Sequence, residues 1–303
     1  MKKVNRRLRV IENRPLSPEV FLLTLGSDQS LPKIKPGQFA NVLIENTNHV
    51  FLRRPFSIHD VDFTHNFIKF FIQKIGKGTE QLSKLKSGDS VDVLFPLGNG
   101  FFGYGVASNE TIIPAKAGIP HNEGDVHQQG DSRLRGNDDK VIPSHNERSE
   151  SAPRTLLVGG GCGVAPLLFL AKTLNQNSIS PTILIGGRSK KNILRIEEYV
   201  KYGKVLVITE DGTLGEKGLI TEHSIFNQQK FDQIYCCGPD AMMKAVGKWA
   251  IEKNIPCQIS LENTMACGIG ACLCCVTKTT DGHQCVCTEG PVFDIRHIEW
   301  SEA

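Results

Sequence analysis

No stretch of this 303-residue sequence comes near the ~18 consecutive apolar residues a membrane-crossing helix needs, so none is expected. Charge of either sign is also short of an excess. The 35 Lys and Arg against 32 Asp and Glu leave a net +3, too little to argue for a nucleic-acid or membrane partner. The opening Met1-Lys-Lys-Val-Asn-Arg-Arg is basic but leads into no long apolar run, so it does not read as a secretory leader. Ten cysteines without such a leader point to a reducing cytoplasm and metal chemistry rather than disulfides. The nine histidines fall at no metal-ligand spacing, and no nucleophile–base–acid triad stands out. What remains is an ordinary globular composition, 40% hydrophobic and 22% charged, at a length suited to about two domains.

Against those absences the cysteines are concentrated. Six of the ten lie within the 21 positions from Cys267 to Cys287. Cys267 to Cys272 is a C-x4-C step, Cys272 to Cys275 is C-x2-C, and a later cysteine completes the set. That is the plant-type spacing for a [2Fe–2S] cluster on four thiolates. Gly268 and Gly270 let the loop turn tightly and bring amide N–H groups toward sulfur. For the fourth ligand Cys287 is preferred to Cys285, because it precedes Thr288-Glu-Gly-Pro, where a turn aims a thiolate inward. Cys285 reads as part of a short strand with Val286, and Cys274 points away from its neighbour Cys275. A zinc site would normally pair two C-x2-4-C knuckles, and only one is obvious. Inert buried thiols are the other reading.

Residues 7 to about 103 read as six short strands: Leu8-Arg-Val-Ile-Glu, Val20-Phe-Leu-Leu-Thr-Leu, Phe39-Ala-Asn-Val-Leu-Ile, Arg54-Pro-Phe-Ser-Ile, Phe67-Ile-Lys-Phe-Phe-Ile-Gln and Ser90-Val-Asp-Val-Leu-Phe. Turn signals separate most of them, and a short helix is expected over 79–85. Six strands so spaced suggest a small antiparallel barrel. From Arg154 strands and helices alternate, the pattern of a parallel sheet with crossover helices. The expected division is a barrel at 1–104, an inserted segment at 105–153, an α/β domain at 154–256 and a cluster segment at 257–303. The insert is polar and aperiodic and reads as disordered or as an extended excursion. Its words Ile113-Pro-Ala-Lys-Ala-Gly-Ile and Asp131-Ser-Arg-Leu-Arg-Gly-Asn-Asp resemble translated bacterial palindromic repeat elements, a reading on which the segment carries no chemistry; a binding lid is the functional alternative.

Gly159-Gly-Gly161-Cys-Gly163-Val-Ala-Pro166 follows a buried strand and opens a helix, where backbone amides can face a pyrophosphate. It is G-x-G-x-x-P, with Val164 at the third glycine position, and a tight turn without a ligand is the plain alternative. The acidic ribose partner usual about 20 residues on is missing. Arg188 stands there instead, either to meet an adenosine phosphate or as a solvated charge. Cys237-Gly238-Pro239 ends a strand at the sheet's carboxyl edge, so Cys237 and Gly238 are expected to face the ligand. Arg54-Pro55-Phe56-Ser57 offers an arginine for phosphate and a serine for a planar ring, although alone it reads as solvated strand surface. Gly76-Lys-Gly78-Thr79 is a phosphate cradle or merely a turn.

Taken in order, these motifs with Glu262-Asn-Thr-Met-Ala-Cys267-Gly-Ile-Gly-Ala-Cys272 and Cys287-Thr-Glu-Gly-Pro-Val-Phe293 resemble the ferredoxin-NADP reductase superfamily. Within it they are most similar to the electron-transfer subunits of class 1B dihydroorotate dehydrogenase. The resemblance covers almost the whole chain outside the insert. It implies FAD in the barrel, a nicotinamide nucleotide (NAD) on a Rossmann-like α/β domain, and the [2Fe–2S] cluster near the C-terminus. Arg54, Pro55, Phe56 and Ser57 would line the flavin and its phosphates, Phe71, Ile72 and Gln73 would contact it, and Gly78 and Thr79 would hold its pyrophosphate. Cys267, Cys272, Cys275 and Cys287 would be the iron ligands. The implied partner is an FMN-containing catalytic subunit, two of each chain forming a heterotetramer. Electrons from dihydroorotate would pass through cluster and FAD to NAD+, with no general acid or base on dihydroorotate supplied here. The small subunit of a sulfide dehydrogenase or NADPH:ferredoxin oxidoreductase shares this domain order and is the alternative enzyme. A non-enzymatic iron–sulfur regulator is the alternative of another class.

Overall fold

The structure, a computed structural model, describes residues 2–45, 50–103 and 152–300. The expected insert at 105–153 lies outside them except for its last two residues. The N-terminal part holds β1 (Val4–Pro15), β2 (Val20–Gly26), β3 (Phe39–Val42), β4 (Arg54–Ser57), β5 (Asp60–Asp62), β6 (Phe67–Gln73), the short helix α1 (Lys77–Leu82) and β7 (Ser90–Leu97). The strands form one antiparallel sheet in the order β4-β3-β7-β1-β2-β6-β5. It has seven strands where six were expected. The extra one, β5, is three residues of Asp-Val-Asp, too short and too charged to show an alternating pattern. Phe56 of β4 meets Phe70 of β6 edge-on at 6.5 Å, drawing the two ends of the sheet together.

Strand periodicity explains how this sheet serves two cores. Phe21, Leu23 and Leu25 of β2 face the barrel interior, with Val10, Phe70 and Phe95. The intervening Val20 and Leu22, with Phe71, face the other way and pack against the next layer. That is why β2 is buried along its whole length.

The second sheet is built from β8 (Thr155–Gly160), α2 (Ala165–Gln176), β9 (Thr182–Gly187), α3 (Ile196–Tyr199), β10 (Lys204–Thr209), β11 (Glu216–Lys217), α4 (Ile225–Gln228), β12 (Gln233–Cys237), α5 (Asp240–Glu252) and β13 (Cys257–Ser260). Its order is β11-β10-β9-β8-β12-β13-β16, parallel except for the last strand. Between β13 and β16 (Val292–Asp294) the chain leaves the sheet, forms the cysteine loop and the hairpin β14 (Val276–Thr279) and β15 (Gly282–Cys285), and returns. β16 pairs antiparallel with β13, Ile259 opposite Phe293.

Polar clips hold the two sheets together. The buried His59, just after β4, bonds the Ala165 carbonyl at the start of α2 through Nδ1, at 2.7 Å. Lys172 of α2 donates to Asp60 Oδ1 at 2.8 Å and to the Val61 carbonyl at 2.9 Å, while Lys69 holds the other Asp60 oxygen. Burial pushes the Asp60 carboxyl up, but these two ammonium groups hold it below its ordinary value overall. Asn99 ties the end of the barrel to the cluster segment, donating to the Glu289 and Val292 carbonyls and accepting from the Val292 N–H.

Candidate functional site

The glycine turn after β8 is shaped by contacts that leave no room for side chains. A Cβ on Gly163 would lie 2.4 Å from the Gly238 Cα, so the turn after β8 and the turn after β12 touch backbone to backbone. Gly161 stands at φ +56° with open space around it. Together they open a cavity of about 640 Å³ across the carboxyl ends of β8, β9, β10 and β12. Gly161, Gly163 and Gly238 line it, whereas Gly159 lies behind them, against Val164. Cys237 was expected to face the ligand. It is fully buried, with its thiol toward the Ser260 carbonyl at 3.4 Å and Glu262 Oε1 at 3.9 Å.

Several residues that sequence reasoning left without a role line this cavity. Glu262, on the chain leaving β13, reaches its wall, and burial pushes its carboxyl above the ordinary value. Cys162 is there too, its thiol pushed up to about 12 by burial and by the Glu262 charge. At the far end stand Arg188, after β9, and Glu210, after β10. Neither side chain has a partner among the described residues. No acid follows β9, and Glu210 brings one to this end of the cavity from the next strand along the sheet. Its alternation with Ile208, which also lines the cavity, was the available signal.

The barrel side of the cavity is closed by Gln73, whose Oε1 accepts from the Cys162 thiol at 3.5 Å. The β6 end thereby joins the glycine turn. Phe71 and Ile72 are buried, Phe71 against His59 and Ile72 in the barrel core. Arg54, Pro55, Phe56 and Ser57 are all half-buried along β4. Arg54 Nη1 donates to the Leu52 carbonyl at 2.9 Å, and its Nε lies beside Gly78, where a Cβ would sit 3.7 Å away. Thr79 Oγ1 accepts the N–H groups of Ile75 and Gly76 at 3.0 and 3.2 Å, so its hydroxyl fixes the shape of this turn. A cationic group beside a glycine turn suits a pyrophosphate.

The cysteine loop packs on β3 and the end of β7. Phe39 and Leu97 of the barrel share an apolar cluster with Met265, Cys275, Val286 and Cys287. Gly268 and Gly270 take φ of +71° and +83°. The Ile269 N–H points at Cys267 Sγ at 3.4 Å, the Gly270 N–H at Cys287 Sγ at 3.1 Å, and the Cys287 N–H at Cys275 Sγ at 3.4 Å. The Ile269 amide leads the effects that bring the Cys267 thiol down to about 6. Burial, then Cys275, pushes the Cys287 thiol up to about 12. The thiols gather pairwise, Cys267 with Cys272 and Cys275 with Cys287. Among the described residues no three metal-ligating side chains already stand at metal spacing. The donor set still fits an iron–sulfur group, since backbone N–H groups aimed at sulfur stabilise thiolate. Cys274 is exposed and turned to the Thr264 carbonyl, and Cys285 closes β15.

Comparison with known proteins agrees with this arrangement. Residues 262–299 match the iron-sulfur cluster binding domain of dihydroorotate dehydrogenase B, and residues 157–248 match the oxidoreductase NAD-binding domain. The electron transfer subunit of dihydroorotate dehydrogenase B (NAD(+)) from Clostridium acetobutylicum is 36% identical over 289 residues, covering 94% of this chain and 93% of that protein. The corresponding subunit from Bacillus velezensis is 32% identical over 301 residues, covering 98% and 99%. Among solved structures, an NADH-dependent reduced ferredoxin-NADP oxidoreductase superposes with a TM-score of 0.73 at 25% identity, over 97% of this chain and 90% of that one. No helix among the described residues is long and apolar enough to cross a membrane. With such identity over nearly its full length, the chain belongs to the family of dihydroorotate dehydrogenase B electron transfer subunits.

Proposed function

We propose that this chain takes electrons from a catalytic partner that oxidises dihydroorotate on FMN and delivers them to NAD+, two copies of each chain forming a cytoplasmic complex. One observation carries the reading. The strands that would hold the flavin are flanked by the nucleotide cavity, through Gln73 and Cys162, and by the cysteine loop, through Asn41 opposite Pro55. That is the spatial order a relay from cluster to flavin to nicotinamide requires.

When bound, the cluster supplies one-electron exchange, and FAD supplies both one-electron and hydride exchange. The chain's own residues hold and orient these groups. Cys267, Cys272, Cys275 and Cys287 hold the iron, with the amides of Ile269 and Gly270 supporting their sulfurs. Arg54 and the Gly76–Thr79 turn hold the FAD pyrophosphate, while Pro55, Phe56, Ser57 and Gln73 line the ring. Gly161, Gly163 and Gly238 admit the dinucleotide backbone between two turns. The flavin side of the cavity fixes the nicotinamide end, so the adenosine end falls toward Arg188 and Glu210. Glu210 suits a ribose diol, which donates to a carboxylate, and opposes a 2′-phosphate. The domain limits follow the same division: 1–104 for FAD, 154–256 for NAD and 257–303 for the cluster, around the insert at 105–153.

The test is co-expression with the candidate FMN subunit, an absorbance spectrum of the purified complex, and a dihydroorotate:NAD+ assay. Flavin and iron–sulfur bands with dihydroorotate-dependent NAD+ reduction are expected. A cluster without flavin, or NADPH:ferredoxin turnover in place of dihydroorotate oxidation, refutes the reading.

A further inference from the structure

Asn41 is the conspicuous polar residue that the relay leaves unexplained. It lies on β3, between Pro55 of β4 and Leu94 of β7, and is fully buried. Neither its amide nitrogen nor its amide oxygen has a partner among the described residues. An orphaned buried amide is a costly group, because it has given up water without gaining a partner. Strand alternation sends its neighbours Ala40 and Val42 into the barrel core, so Asn41 faces outward with Phe39. What lies there is the cysteine loop. A Cβ on Gly268 would come within 2.2 Å of Asn41 Nδ2. Gly268 follows Cys267, and the next two amides, Ile269 and Gly270, already point at sulfur.

We propose that Asn41 is a positioning residue that donates a hydrogen bond from the barrel to the cluster's sulfur shell, at Cys267 or the sulfide beside it. This rests on the reading of the loop as the cluster site. The chemistry sets the direction of the amide. Thiolates and sulfides outweigh ferric charge, so the assembly is anionic, and the NH2 end of Asn41 turns toward it. An added electron makes the assembly more negative, so a donated hydrogen bond favours the reduced form and raises the reduction potential. Asn41 thus supplies from the flavin's side what the loop amides supply from within.

The test is an EPR-monitored redox titration of the full-length chain carrying cluster and flavin, for wild type, Asn41→Leu and Asn41→Ser. Leu keeps the bulk without the donor, and Ser keeps only a short hydroxyl held near the β3 backbone, too far back to reach the sulfur shell. The cluster midpoint is expected to shift negative in both variants, while the flavin midpoint and the iron and sulfide content per chain hold. Asn41→Gln, which keeps a longer amide, is expected to recover part of the shift. Loaded variants that titrate at the wild-type midpoint overturn the proposal and leave Asn41 a packing residue. If Asn41→Leu does not load, the Asn41→Ser midpoint decides in the same sense. A wild-type chain with no cluster signal would instead refute the cluster reading itself.

Discussion

The nucleotide cavity and the cysteine loop are both made of glycines and cysteines, yet they are held open by different means. The cavity is framed by buried parallel strands and by backbone contact between Gly163 and Gly238. Its form is fixed by packing that exists without any ligand. The loop has φ values of +71°, +83° and +56° at Gly268, Gly270 and Leu273, exposed Cys272 and Cys274, and thiols gathered in two pairs. Its final form depends on iron. The first region is a socket that receives a ligand, whereas the second is completed by one.

The sharpest way to break that contrast is to remove a thiol. Cys275→Ser or Cys287→Ser is expected to abolish the cluster, read as loss of bound iron and of visible absorbance, with NADH binding kept. Cys274→Ser and Cys285→Ser are expected to leave both intact. If the cluster survives Cys287→Ser and not Cys285→Ser, the fourth ligand is misassigned.

Acid should act on the socket instead. Burial lowers the His59 pKa to about 4, against an ordinary value of 6.5. Its folded form is neutral while the unfolded chain takes a proton first. The stability this residue carries is therefore complete above about pH 6.5 and is lost as pH falls toward 4, about 3 kcal/mol in all. Denaturant unfolding across that range checks it, and His59→Gln should remove this residue's share of the slope, leaving that of His223, whose pKa burial also lowers.

Next comes the contact between the turns. Gly163→Ala places a Cβ on the Gly238 backbone, and should cost about 1–3 kcal/mol and weaken NADH binding measured by calorimetry. At the adenosine end, Glu210→Gln should narrow the preference for NADH over NADPH by about tenfold in dissociation constant, since a carboxylate repels the added phosphate. An unchanged ratio would remove Glu210 from the ribose. The smallest effect belongs to Gly161→Ala, where only the positive φ opposes a side chain, at about 1 kcal/mol in thermal unfolding.

Much of this was legible because it is local. The cysteine spacing and the glycine turn after a buried strand are each written within a few residues, whereas Arg54–Ser57 reads alone as strand surface and took its reading from the whole set of motifs. The fold classes followed from strand and helix periods, although β5 escaped because three residues make no period. The rest depends on register and on chain ends meeting from afar. Asn41 acquires its place only when β3 pairs with β4 and the loop settles on it. Glu210 reaches the cavity only because β10 lies beside β9, and the search for an acid at the end of β9 passed it by. Cys237 stands at the strand end as expected, but its thiol is covered there, beside the Ser260 carbonyl and Glu262, which only the neighbouring strand β13 brings to it.

The return of the chain through β16 has a consequence for how electrons enter the molecule. Because β13 and β16 are paired neighbours, the cysteine loop is anchored at both of its ends to a sheet edge. Asn99 clips the returning end to the barrel as well. A carrier on a free tether would shuttle between donor and acceptor, and its rate would depend on tether length. This one is a fixed terminal. The partner has to come to it, and the spacing from there to the flavin strand is set once, when the chain folds.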